Sequence, residues 1–545
     1  MQKSDSWTLA LVLLVVLAVL GGAPFLMGGF YVAKHEGDTL QLAEMTLRMA
    51  RGEWPHLDFM TPIGVLAIAP IAFFVKQGWG IGHAIFLAQL SVGLILWPAT
   101  VWVVQSRLHD RASKWICWGY GAYVMALCVA LVHGEADASI SISMHYNRWA
   151  WAITYLIVPL VMLTPTTRAR PMLDGTIIGL GLAALVLIKV TYFVSVAPAI
   201  ALGLLLRRNW GALFATVVAG LAVAGLVTAL AGFDFWLAYY NDLHTVAFSS
   251  ARPQPGESFT SVASAPAYIG ASFALMATVI MLRQCGRKLE GLVLLVLAPG
   301  LVYIVFQNYG NDPQWLMMLA TFAFVLRADV GVVNSLGWDL RHGMTLVSGA
   351  AVAFGFASAV NLAYSPIRHL SADTVKTVPL VAGYRQHWDL YSKANRMYGL
   401  NEEIAGDGPD TPFSQYAKFA NRQDESYLNG EKLPHCEQHS GLVGYFTTVS
   451  KMLADQGLAG KHLVAADLFG FFWLFGPFEP THGAAPWYYG GVSGVDNADY
   501  IVVPLCPTST RSRSAMLKEL KTEGYKLTEV SRNAAYILIT ARKPG

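Results

Sequence analysis

The chain has 545 residues, 54% of them hydrophobic and only 13% charged. An ordinary soluble domain carries about 25% charged residues, so a wholly water-soluble protein is excluded and a polytopic membrane protein is predicted. A net charge of +3 is too small to suggest a nucleic-acid partner, and Lys and Arg fall in short clusters between apolar runs rather than on one basic face.

Residues 8–29 form an apolar run after a charged start, long enough for a bilayer core of about 30 Å. The run lacks a small-residue cleavage site and reads as a retained first span. Residues 62–75 are apolar but interrupted by Pro70, and about fourteen residues suit a re-entrant or interfacial segment better than a span. Further spans are expected at 81–104, 115–132, 149–164, 172–188, 190–206, 211–231, 265–282, 290–306, 313–326 and 343–363. With 62–75 held on the outer face, the clusters Arg107/Arg111/Lys114, Arg168/Arg170, Arg207/Arg208, Arg283/Arg287/Lys288 and Arg327/Arg341 all fall inside. Outer loops 134–148, 232–264 and 307–312 then hold only Arg148 and Arg252 as arginines. The expectation is an α-helical polytopic membrane protein of about eleven transmembrane helices, N-terminus cytoplasmic and C-terminus outside.

From Ser365 the composition turns polar and mixed, which divides the chain into a membrane domain, 1–364, and a soluble C-terminal α/β domain, 365–545. Strands are predicted at 463–466, 500–504, 525–530 and 535–541, and helices at 443–456 and 514–523. Residues 401–440, rich in Gly, Asp, Pro and Asn, read as loop. Cys436 and Cys506 could pair in an oxidising compartment, whereas Cys117, Cys128 and Cys285 sit in or beside apolar runs as small hydrophobes.

Carboxylates, histidines and aromatics concentrate in the first outer loop, 30–80, just after the first span. Asp38-Thr39-Leu40-Gln41 has the pattern of a capping box, with Asp38 accepting from first-turn amides and Gln41 reaching back. Leu42, Met45 and Met49 would then form one apolar stripe. A carboxylate fixed at a helix start can also act as a base or ion ligand, and Glu36 two residues earlier offers a second acid for a divalent cation such as Mg or Mn. His56 and Asp58 follow in the same stretch.

Glu36-Gly37-Asp38, the helix running to Met49, Gly52-Glu53-Trp54 and Asp58-Phe59-Met60-Thr61-Pro62 together resemble the first outer loop of the GT-C superfamily of membrane glycosyltransferases. That superfamily includes protein O-mannosyltransferases, aminoarabinose transferases acting on lipid A, and oligosaccharyltransferases. The odd number of expected spans and the external C-terminal domain fit it as well. The resemblance implies a polyprenyl-phosphate sugar donor, a lipid, glycan or protein acceptor, an inverting displacement, and a multi-pass protein of the bacterial inner membrane with its active site and C-terminal domain in the periplasm. It makes Asp38 and Glu36 the candidate catalytic acids and the candidate metal ligands. Thr39 stands where the commoner motif has a second acid, which leaves both in play.

Substrate contacts are expected from His56 and Asp58, and from Glu135, Asp137, His145 and Arg148 of the second outer loop, with Arg148 as a phosphate partner. Lys189, at the outer end of an apolar run, is either a snorkelling anchor or a phosphate ligand. Tyr240 and His244 lie in a loop long enough to close over a donor, and Asn308 and Asp312 offer hydrogen bonds to sugar hydroxyls. A transporter or flippase of a lipid-linked solute is the alternative from another class, and a non-catalytic scaffold a third. Few ionisable residues fall near the middle of the spans, and no paired halves are seen, which favours the transferase.

Overall fold

The structure, a computed structural model, describes residues 2–249, 251, 258–308, 311–408, 411–422 and 424–543; Arg252 and Tyr309 lie outside the described residues. The N-terminal part is helical. In order come α1 (Gln2–Gly22), α2 (Glu36–Ala50), α3 (Ala69–Lys76), α4 (Ile81–Val103), α5 (Lys114–Val129), α6 (His145–Met162), α7 (Pro171–Ile188) and α8 (Val190–Leu206). Then follow α9 (Trp210–Ala231), α10 (Asp234–Phe248), α11 (Phe259–Ser264), α12 (Pro266–Gln284), α13 (Lys288–Gln307), α14 (Leu316–Val325) and α15 (Leu340–His369).

Among the described residues, seven helical segments are long and apolar enough to cross a membrane: Ser6–Met27, Ile81–Leu108, Pro171–Ile188, Trp210–Ala231, Pro266–Gln284, Lys288–Gln307 and Leu340–His369. The other four expected spans are also helical, as α5, α6, α8 and α14, but shorter or more polar. α14 has ten residues and rises about 15 Å, half of a bilayer core. α3, inside the segment expected to be interfacial, has eight residues and rises only about 12 Å.

Small residues let the helices approach: a Cβ at Gly175 or Gly179 of α7 would lie 2.1 or 2.3 Å from a backbone oxygen of α9. Two arginines of the bundle are ion-paired. Arg107 meets Asp174 at 2.6 Å, with Trp102 Nε1 donating to the same carboxylate, and Arg207 meets Glu290 at 2.9 Å.

The C-terminal region contains β2 to β11: β2 (Thr377–Pro379), β3 (Leu390–Lys393), β4 (Asn401–Ile404), β5 (Tyr427–Leu428), β6 (Glu431–Lys432), β7 (Cys436–Ser440), β8 (Leu463–Ala465), β9 (Tyr500–Pro504), β10 (Lys526–Arg532) and β11 (Tyr536–Arg542). Its helices are α16 (Ala394–Tyr398), α17 (Leu442–Asp455), α18 (Phe472–Phe475) and α19 (Thr510–Thr522). The main sheet has the order β10-β11-β9-β8, parallel only between β8 and β9. α19 buries Met516, Leu517 and Leu520 with Ile501, Val503 and Ile537 of this sheet. The stretch 401–440, expected to be loop, instead holds β4 to β7. These strands are two to five residues long and polar, and a Cys436–Cys506 disulfide ties β7 to the end of β9.

The two parts interlock. β1 (Phe30–Tyr31), between α1 and α2, pairs parallel with β3, Phe30 opposite Leu390 and Tyr31 opposite Tyr391. The loop after α1 is thereby a strand of a sheet completed by residues about 360 positions later in the chain.

Candidate active site

α2 begins earlier than a cap at Asp38 would require. His35 is the N-cap in a left-handed conformation, φ 65°, its carbonyl accepts from Thr39 Oγ1 at 3.0 Å, and its ring meets Ser141 Oγ at 3.0 Å. Asp38 therefore sits within the first turn, where the free amides and helix dipole favour a carboxylate. Gln41 does not reach back to the helix start. Its Nε2 donates to Tyr489 Oη of the C-terminal region at 2.7 Å.

Asp38 opens onto a cleft shared with Leu42 and Met45 of α2, Ile63 and Ala67 of the following loop, and Ile142 to Tyr146. Tyr146, which also lines the cleft, has its ring 5.3 Å from the Lys189 ammonium. Lys189 is the single extended residue between α7 and α8, and it donates to Asn147 Oδ1 at 3.3 Å and to Asn308 Oδ1. Within one turn of Lys189, Val186 and Phe193 belong to an apolar groove of about 340 Å³ that continues along Leu182, Val217 and Leu221 under Trp236. The acid's cleft and the cation thus share Tyr146, and the apolar groove takes in residues within one turn of the cation in sequence.

The remaining predicted residues have other partners. Glu36 is absent from the cleft and ion-paired to Arg396. A cation shared by Glu36 and Asp38 would compete with that arginine for the Glu36 carboxylate. Among the described residues the one group of three ligand atoms close enough for a metal is Glu402, Cys436 and Cys506, whose cysteines form the disulfide. Asp137 pairs with Lys34 at 2.7 Å, and that bond together with the Ser139 amide holds its carboxyl well below the usual range. Glu135 and Asp312 are both absent from the lining of the cleft. Burial, and then Glu135, push Asp312 up to about 6.

His56 is buried, 2.8 Å from Asp242 and stacked on Tyr239, so it fixes the first loop to α10 rather than meeting solvent. Asp58 closes a turn by accepting from Trp54 N at 2.6 Å. His145 lines the cleft but its Nε2 is held by Ala67 O at 2.8 Å. Arg148, expected as a phosphate partner, is 1% exposed and donates to the carbonyls of Val132, His133 and Ser143, clamping the second loop. Tyr240 and His244 are exposed on α10 in a stripe with Phe233, Leu237 and Phe248, the pattern of a helix lying in a membrane interface.

Several contacts had no signal in the sequence. Phe469 packs on Gly37, where a Cβ would come within 2.5 Å of its ring, and Gly483 N donates to Asp58 O at 2.7 Å. On the opposite face of α2, Glu44 and Arg48 border a small chamber with Asp467, Trp473 and Thr481. No protein-family model, curated protein or solved structure matches this chain.

Proposed function

We propose that the protein is an integral-membrane glycosyltransferase that moves a sugar from a polyprenyl-phosphate donor to a lipid, glycan or protein acceptor, as the resemblance of its first outer loop to the GT-C superfamily implies. The observation that carries this reading is the Asp38 cleft that shares Tyr146 with the Lys189 ammonium, together with an apolar groove that includes Val186 and Phe193 on either side of Lys189 in the chain. A lipid-linked sugar phosphate asks for these chemistries in this order. The polyprenyl chain occupies the groove, the Lys189 ammonium holds the phosphate, and the sugar reaches the Asp38 cleft.

In this reading Asp38 takes the proton from the acceptor's hydroxyl or amine as that group attacks the anomeric carbon. The bond from the anomeric carbon to the phosphate oxygen breaks, the electron pair leaves with polyprenyl phosphate, and configuration inverts. Glu36, engaged by Arg396, serves to fix the start of α2.

The eleven helices of the bundle cross a bacterial inner membrane, with α14 completing its crossing through the extended residues before it, and the C-terminal region faces the periplasm. The Cys436–Cys506 disulfide supports that side, since such bonds persist in oxidising compartments. The test is incubation of the purified, detergent-solubilised protein with labelled polyprenyl-phosphate sugars and membrane extract. Label transfer to an acceptor with release of polyprenyl phosphate is expected. Donor movement across reconstituted vesicles with no transfer would favour the flippase instead.

A further inference from the structure

The C-terminal region carries a second open surface, remote in sequence from Asp38 and Lys189. A groove of about 700 Å³ lies between the β5–β6 hairpin, α19 and the start of β10. One wall is Tyr427, which is 51% exposed. The other is Lys518 and Lys521, one turn apart on α19 and so about 5–6 Å apart at Cβ. The floor is apolar, from Leu517, Tyr525 and Leu527.

Charge pairing around the groove is selective. Glu425 is met by Lys432 at 2.5 Å, Glu431 and Glu529 by Arg532, and Glu523 by Lys543. Lys518 and Lys521 form no ion pair with any described acid, although Glu519 lies between them on the same helix. Two cations without an ion-pair partner outnumber the one lining acid, Glu425, which is held by Lys432 and the Tyr427 hydroxyl, and the exposed phenol ring offers a flat apolar face in the same groove. A carboxylated or phosphorylated saccharide presents both complements at once: anionic groups along one edge and a C–H face for the ring. An acidic peptide presents the charge without the flat face.

We propose that this groove binds an anionic saccharide, independently of the transfer chemistry at Asp38. The experiment is titration of the full-length, detergent-solubilised protein with oligogalacturonate, read by thermophoresis. Parallel arms use neutral maltooligosaccharide, poly-L-glutamate of matched charge, and vesicles rich in phosphatidylglycerol. Oligogalacturonate is expected to bind and maltooligosaccharide not to. Losing a charge-assisted contact should weaken binding about tenfold in each of Lys518→Glu and Lys521→Glu, and losing the ring contact by about threefold to tenfold in Tyr427→Ala. All three side chains are at the surface, and unchanged thermal melting of the variants confirms that the fold is intact. Absence of oligogalacturonate binding would overturn the proposal, as would binding that the three variants leave unaltered. Equal affinity for poly-L-glutamate, indifferent to Tyr427→Ala, would overturn it in favour of an acidic-peptide surface. Vesicle binding abolished by the lysine variants would overturn it in favour of a lipid headgroup.

Discussion

Glu44 gives the sharpest quantitative prediction. It lies in the middle of α2, fully buried against the C-terminal region, with Oε2 lacking a hydrogen-bond partner. Burial raises its carboxyl from an ordinary 4.5 to about 7, and Glu53 adds to the rise, while Arg48 and Trp473 oppose it. Between pH 4.5 and 7 the folded protein therefore holds a proton that the unfolded chain has released. Stability falls as pH rises across that interval and is lowest above pH 7, by about 3 kcal/mol relative to a group with no shift.

Glu44→Gln keeps the shape and removes the titration. At pH 8 it should strengthen the docking of α2 on the C-terminal region by up to about 3 kcal/mol, roughly a hundredfold in local opening. Below pH 4.5 the difference should vanish. Amide hydrogen exchange in α2 and residues 463–490, compared between variant and parent at each pH so that intrinsic rates cancel, reads this directly. A difference independent of pH, or a variant less protected at pH 8, would refute the burial argument and show that Arg48 neutralises the ionised carboxylate.

Three further outcomes follow from the geometry. Lys189→Met removes the cation beside Tyr146 and should weaken polyprenyl-phosphate binding about 10- to 100-fold, the range expected for a charge-assisted hydrogen bond, in a direct titration with the lipid phosphate. Tyr489→Phe leaves Gln41 Nε2 buried without an acceptor and should cost about 1–3 kcal/mol, seen as faster exchange in α2 with little change elsewhere. Replacing both Cys436 and Cys506 by Ser opens a loop with a sequence separation of 70 residues. The loss should be about 4 kcal/mol in the C-terminal region, measured as earlier proteolysis there on heating.

The helical stretches were legible because the cost of placing residues in a bilayer depends on composition, which the chain carries openly at each apolar run. β8 to β11 were legible for a similar reason, from β-branched and aromatic runs such as Tyr500–Pro504. β4 to β7 were not, because Asn401–Ile404 and Glu431–Lys432 are too short and polar to show alternation.

At the candidate site, Asp38 and Lys189 stood out as charges where apolar segments end. What each polar side chain touches was hidden: Arg396 lies 360 residues from Glu36, Lys34 lies 103 from Asp137, and Tyr489 lies 448 from Gln41. Sequence locates a charge, whereas its pairing depends on tertiary contact. Arg148 shows the same limit. A lone arginine in an outer loop has the composition of an anion site, and the fold uses its guanidinium to gather three carbonyls.

The role of Asp38 as the base is decided by Asp38→Asn, assayed for sugar transfer and, separately, for equilibrium binding of the polyprenyl-phosphate donor. Transfer should fall about 100-fold or more, as expected when a general base is removed, with donor affinity retained through Lys189 and the apolar groove. Transfer at the parent rate by the asparagine variant would contradict it.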